Sequence, residues 1–130
     1  MSNFRLYLNT LIEKVSQKQL TDLEKFADRL LAKFDIDVEF TRHFLDRVND
    51  ARNDPDITIS ELQKLFKKIQ KAKGEKLKDA KGTEVVLKDL VSDLNIPAVI
   101  KFKNGEFIIT GKTIMRKKDF KTPDKEIKYK

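Results

Sequence analysis

An α+β domain, with N-terminal helices packed on a mainly antiparallel sheet of three or four strands, is predicted by three observations. Apolar residues recur at three-four spacing over residues 3–34 and again in Leu62, Leu65, Phe66 and Ile69. Beyond Gly82 the texture changes to short apolar runs, and Asn104-Gly105 separates two of them. An Asn-Gly pair supplies the positive φ angles of a tight hairpin turn, so it is the strongest short-range sign of antiparallel pairing. Helices first and strands second give the α+β class, and 130 residues suffice for one modest core.

In residues 3–34, Phe4, Leu8, Leu11 and Val15 make one apolar stripe, and Leu20, Leu23, Ala27, Leu30 and Phe34 resume it after a slip. Ser16 with Gln19, or Thr21 with Glu24, forms a capping box that restarts the helix. Residues 1–35 are therefore expected to form a helical segment of two amphipathic helices, whose stripes must pack on the body of the domain or on another copy of the chain. Residues 36–120 are expected to form the core domain. Ile36, Val38 and Phe40 alternate with Asp37 and Glu39, an extended pattern leading into Thr41 as the cap of a helix running to about Arg52. That helix stops at Asn53-Asp54-Pro55, where proline disfavours helix in the residue before it. Thr58 and Glu61 make the clearest capping box, and Gly74 suits the end of the helix that follows. Strands are expected at 83–90, 96–103 and 106–115, with a further one near 127–129, while 121–130 have the alternating charge of a loose basic tail.

Composition narrows the chemistry. Twenty-eight Lys and Arg against 21 Asp and Glu leave a formal charge of +7, which favours a polyanionic partner. The excess is uneven, with ten basic and four acidic residues in 101–130. The lack of cysteine excludes disulfides, thiol nucleophiles and thiolate zinc sites, and one histidine is too few for an all-protein transition-metal centre. Asp46, Asp50, Asp54 and Asp56 lack the spacing and glycine of a calcium loop, and four glycines cannot build a phosphate-cradling loop. No metal and no cofactor is expected. No stretch approaches the roughly 20 apolar residues that span a bilayer, and the start lacks a signal-peptide run, so an intracellular protein without a membrane partner is expected.

The histidine is the centre of the candidate site. On a helix, His43, Arg47 and Asp50 lie along one edge of the stripe made by Phe44, Leu45, Val48 and Ala51, placing them at the border of core and solvent. An imidazole there suits general acid or base work near neutral pH, and Arg47 suits a phosphate or a developing anion. On the strand expected at 106–115 and its continuation, Lys112 and Arg116 share a face, followed by Lys117 and Lys118. If that face meets His43, the groups suffice to cleave RNA by attack of its own 2′-hydroxyl, a reaction that needs a base, an acid and positive charge around the phosphorane. His43, Arg47 and Arg116 are thus the catalytic candidates, and Lys67, Lys112, Lys117, Lys118 and Phe120 the nucleic-acid-binding ones. Phe102 and Phe107 also lie among lysines, but their strands place them in the core.

Residues 38–69 resemble phage endoribonucleases of the RegB type. In that family a histidine, two apolar residues, then Asp and Arg open a helix, here His43, Phe44, Leu45, Asp46 and Arg47, and the next helix has a Leu-Phe centre, here Leu65 and Phe66. The resemblance implies a fold like the RelE toxins, RNA as substrate and the histidine role at His43. Where the family carries a second histidine after the Leu-Phe pair, this sequence has Lys67. A broader resemblance over residues 40–122, carried by RHFLDRVNDARN, ISELQKLFKK, DLNIPAVIKF and KTIMRKKDF, is to small uncharacterised proteins of marine tailed phages. It implies a phage origin and no activity of its own; such a source makes two roles natural, action on host or viral RNA in the host cytoplasm, or a non-enzymatic part in the virion or its assembly with the N-terminal helices as the protein-binding or self-associating element.

Overall fold

The computed structural model describes residues 15–130. The chain runs α1 (Gln17–Leu31), a 3-10 turn (Ala32–Phe34), β1 (Ile36–Phe40), α2 (Arg42–Val48), α3 (Ile59–Lys71), α4 (Glu75–Lys78), β2 (Glu84–Asp89), β3 (Leu94–Lys103), β4 (Glu106–Gly111), β5 (Met115–Arg116) and β6 (Lys125–Tyr129). It is an α+β fold. The expected stripe at Phe4, Leu8 and Leu11 lies outside the described residues.

Capping chemistry sets the helix starts. Ser16 Oγ accepts from the Gln19 N–H at 3.1 Å while Gln19 Oε1 accepts from the Ser16 N–H at 2.9 Å, which decides between the two boxes offered by the sequence. Thr58 and Glu61 repeat the arrangement at α3. Thr41 caps α2 as expected, but α2 ends at Val48 rather than near Arg52. The cause is Asn49, whose Nδ2 donates to the Val15 carbonyl at 2.7 Å and whose Oδ1 accepts from the Val15 N–H at 2.9 Å. Those bonds tie the end of α2 to the start of α1, and the chain turns away.

The sheet has six strands where three or four were expected. Its order is β1-β4-β3-β2-β6, with β5 paired to β3. The hairpin β3-β4 is antiparallel around Asn104 and Gly105, both at positive φ (53° and 81°). Both outermost strands are parallel to their neighbours, β1 to β4 and β6 to β2, so the sheet is mixed. The expected strand at 106–115 is broken after Gly111: the Lys112 N–H donates to the Pro97 carbonyl and the Lys112 carbonyl accepts from Thr41 Oγ1, before Met115 and Arg116 pair again. The basic tail is corrected too. Lys125–Tyr129 is a strand, because Ile127 and Tyr129 alternate with charged residues and bury one face.

One core lies between the helices and a single face of the sheet. Leu20, Leu23, Ala27 and Leu31 of α1 and Leu62, Leu65, Phe66 and Ile69 of α3 meet Ile36, Val38, Leu87, Ile96, Ile100, Ile109 and Ile127 from the strands. The stripe predicted for α3 is buried as read. Phe102 departs from expectation: it lies past the last covering turn, 50% exposed, against Phe107 at 4.7 Å with Lys81 Nζ 5.1 Å from its ring.

Strand β1 is an outer edge, yet two of its outward N–H groups are satisfied. Val38 N–H donates to Asp28 Oδ1 at 2.7 Å and Phe40 N–H to Glu24 Oε2 at 2.8 Å, so two carboxylates of α1 stand where another strand would pair. Burial first, then a hydrogen bond with Asp37 and the charges of Asp37 and Glu24, raise the Asp28 carboxyl to about 7 against the opposing pull of the Val38 N–H. Asp35 and Glu106 line the same notch. A carboxyl raised on folding contributes stability that is present at low pH and is lost as pH rises through its folded value. Urea midpoints should therefore fall between about pH 4 and about pH 7 through this group, and Asp28→Asn, which keeps an acceptor for Val38, should flatten that fall. An unchanged pH profile in the variant would contradict this account.

Candidate functional site

Helix α2 presents its apolar side to the core through Phe44 and Val48, fully buried, and this orientation leaves His43 exposed beside Arg47. Arg47 Nε donates to His43 Nε2 at 3.1 Å and its Nη1 donates to Asp50 Oδ2 at 3.1 Å. The imidazole nitrogen facing Arg47 is thus an acceptor, which places the proton of the neutral ring on Nδ1. Arg52 grips the same carboxylate, Nε on Oδ1 at 3.1 Å and Nη2 on Oδ2 at 2.8 Å. The Arg52 side chain, then its backbone N–H, hold the Asp50 carboxyl far below the usual carboxylate range. One carboxylate between two guanidiniums leaves the cluster net positive.

These groups line a groove of about 540 Å³ whose opposite wall is Thr113 to Lys117. Asn53 joins the walls. Its Nδ2 donates to the Arg47 carbonyl at 2.8 Å and its Oδ1 accepts from the Arg116 N–H at 3.0 Å, which is why this polar residue is only 5% exposed. The His43 helix and the segment around Arg116, whose meeting the sequence left as a condition, therefore line one groove, joined by a residue expected only as part of a turn.

Arg116 lies in that wall, but its guanidinium faces other work. Nη1 and Nη2 donate to Glu61 Oε2 and Oε1 at 2.9 and 2.7 Å, while Nε, Nη1 and Nη2 also donate to the carbonyls of Pro55, Ser92 and Asp56. All five N–H donors are occupied by protein. Burial pushes the Glu61 carboxyl up, but the Arg116 hydrogen bonds and the Thr58 N–H outweigh it and hold the group below its ordinary value. Arg116 is thereby a positioning residue that pins the 113–117 wall to the start of α3, instead of the free phosphate partner expected from sequence.

The other candidates disperse. Lys112 ends in an ion pair with Glu84 at 2.8 Å and does not line the groove, because the break after Gly111 removes it from the face of Arg116. Lys117 does line it. Lys118 and Phe120 line an adjoining depression of about 300 Å³, where Lys88 Nζ donates to the Phe120 carbonyl at 2.6 Å and lies 5.8 Å from its ring. Lys67 is exposed on α3 and lines neither depression. Arg52 and Asn53 were missed because α2 was expected to continue through Arg52; the Asn-x-x-x-Asn-Asp spacing around Asp50 was the one signal of an earlier stop. Among the described residues no set of three or more His, Cys, Asp or Glu side chains is gathered to hold a metal ion, and no helix is long and apolar enough to cross a membrane.

No family model, curated protein or solved structure matches the chain. The site has to be read from its own chemistry.

Proposed function

We propose that this protein binds RNA, with the His43 groove holding a phosphodiester. The observation that carries the reading is the convergence of Arg47, Arg52 and Lys117 on one groove beside an exposed imidazole, with Asp50 as the balancing charge among them. Phosphate competes well for such arginines, because a guanidinium binds it through two parallel hydrogen bonds. The His-x-x-Asp-Arg opening of α2, on which the resemblance to RegB and RelE-type nucleases rests, supports the same reading, and the α+β class is compatible with that fold.

The groove also offers a route to cleavage. Arg47 turning from His43 onto a bound phosphate frees the Nε2 lone pair, and His43 can then take the proton of the 2′-hydroxyl as that oxygen attacks phosphorus. The bond to the 5′-oxygen breaks, the leaving oxygen takes a proton from water, and a 2′,3′-cyclic phosphate remains. Arg47 and Arg52 would stabilise the extra negative charge of the phosphorane. The alternative, a non-enzymatic virion or assembly component, rests on the stripe at residues 4–15, most of which lies outside the described residues.

The test is fluorescence anisotropy with single-stranded RNA, followed by incubation of the same RNA in EDTA. Arg47→Ala with Arg52→Ala should weaken binding and reduce the slope of log affinity against log salt by about 0.7 for each phosphate contact removed. Binding that is absent at low salt in wild type would overturn the proposal. His43→Ala should retain binding and abolish any cyclic-phosphate product; a product that persists would remove His43 from the chemistry.

A further inference from the structure

The His43 groove is one of three adjoining depressions. Lys117 lines both it and the depression that holds Lys118 and Phe120. That depression in turn shares Leu90 and Lys128 with a third, of about 680 Å³, between the end of α3, α4 and β6. The third contains Lys68, Lys71, Lys76, Lys128 and Lys130 and no acidic residue, whereas the middle one carries three aspartates among its lysines. It is the most strongly positive concavity among those adjoining the site.

Ordinary structural roles account for part of this lysine set. Lys68 is paired with Asp89 at 2.8 Å, Lys76 Nζ donates to the Lys128 carbonyl at 3.4 Å, and Lys68 and Lys71 sit in the last turn of α3, where a helix end favours cations. Lys71 and Lys130 are exposed and make no ion pair among the described residues, and Lys128 reaches Glu126 only at 3.9 Å. A second observation points the same way. Tyr129 lines this groove, is 5% exposed, and its hydroxyl has no hydrogen-bond partner among the described residues. Buried hydroxyls are ordinarily paired, and a phenol is a natural donor to an anionic oxygen.

We propose that the three depressions form one track for the backbone of single-stranded RNA, running from the His43 groove across Lys117 to a terminal anion site formed by Lys71, Lys128, Lys130 and Tyr129. The inference rests on the RNA-binding reading and extends it from a single phosphodiester to a segment of several nucleotides. Exposed Leu90 and partly exposed Phe120 along the middle give bases an apolar surface to lie against.

Binding of labelled oligonucleotides of about 5 and about 15 nucleotides separates the possibilities, those lengths bracketing the span of a short and an extended single-strand site. Wild type should bind the longer RNA at least tenfold more tightly. Lys71→Glu with Lys130→Glu should remove most of that advantage while leaving the short RNA bound. Lys18→Glu with Lys25→Glu, exposed on α1 away from the grooves, changes net charge equally and should have little effect on the advantage of length. If both charge-reversed proteins weaken long RNA alike, the effect is general attraction and the track is wrong. If the longer RNA gains nothing in wild type, the track is likewise wrong, although the groove reading stands. If wild type binds neither length, the RNA-binding reading itself fails.

Discussion

Arg116→Ala should lower the unfolding free energy by about 3 kcal/mol or more, the range found when one partner of a buried pair is removed. In a chain of this size that corresponds to a fall in melting temperature on the order of 10 °C. The magnitude follows from geometry. The Arg116 side chain is 9% exposed, Glu61 would be left as a largely buried carboxylate, and three carbonyls at residues 55, 56 and 92 would lose their donors together. Arg116→Lys should recover little of the loss, since one ammonium cannot reproduce a planar fork that meets five acceptor contacts. Thermal unfolding followed by circular dichroism measures both. A loss below about 1 kcal/mol, the typical value of an exposed ion pair, would show that the cluster is solvated and interchangeable.

The second large effect is expected at Phe44. Its ring is fully buried, stacked on Phe40 at 4.4 Å, and Phe40 meets Phe66 edge-on at 6.0 Å. Phe44→Ala should cost about 4 kcal/mol, combining lost transfer free energy with the cavity left in a packed interior. Denaturant unfolding should show the loss as a lower midpoint at unchanged slope. Phe44→Leu should cost less by preserving most of the volume. Because Phe44 is the anchor that turns His43 outward, the RNA-binding proposal expects the alanine variant also to lose RNA affinity at temperatures where it is still folded. Retained affinity would mean that α2 keeps its orientation through Thr41 and Asn49 alone.

Local chemistry was what the sequence displayed best. The box at Thr58 and Glu61, the turn at Asn104-Gly105 and the apolar face of α3 are each decided within a few residues, and they stand where the spacing put them. The pairings of β1 with β4 and of β2 with β6 are not local. Parallel partners far apart in the chain leave no turn signature, so Ile36–Phe40 could be read as extended without revealing its neighbour, and Lys125–Tyr129 could be read both as strand and as tail. The site shows the same division. His43 with Arg47 was legible from helical spacing, but Glu61 has two tasks, capping α3 and holding Arg116 from 55 residues away, and only the first leaves a mark in the sequence. Once that second task is known, Arg116 passes from a ligand-binding group to part of the frame.

The two ends of the sheet carry opposite charge. At β1 the outer edge bears Asp37 and Glu39 beside Glu24 and Asp28, the last only partly ionised near neutral pH, and at the other end β6 brings Lys125, Lys128 and Lys130 around Glu126. A net charge of +7 spread evenly would attract a polyanion from any direction; separated across the width of the sheet, it acts as a dipole with a positive pole at β6. On the RNA-binding proposal, an approaching strand would be turned before it touches, so that encounters begin with the lysine groove facing it and the acidic edge pointing away. Association should then be faster than net charge alone gives, and should slow as salt shortens the reach of that field.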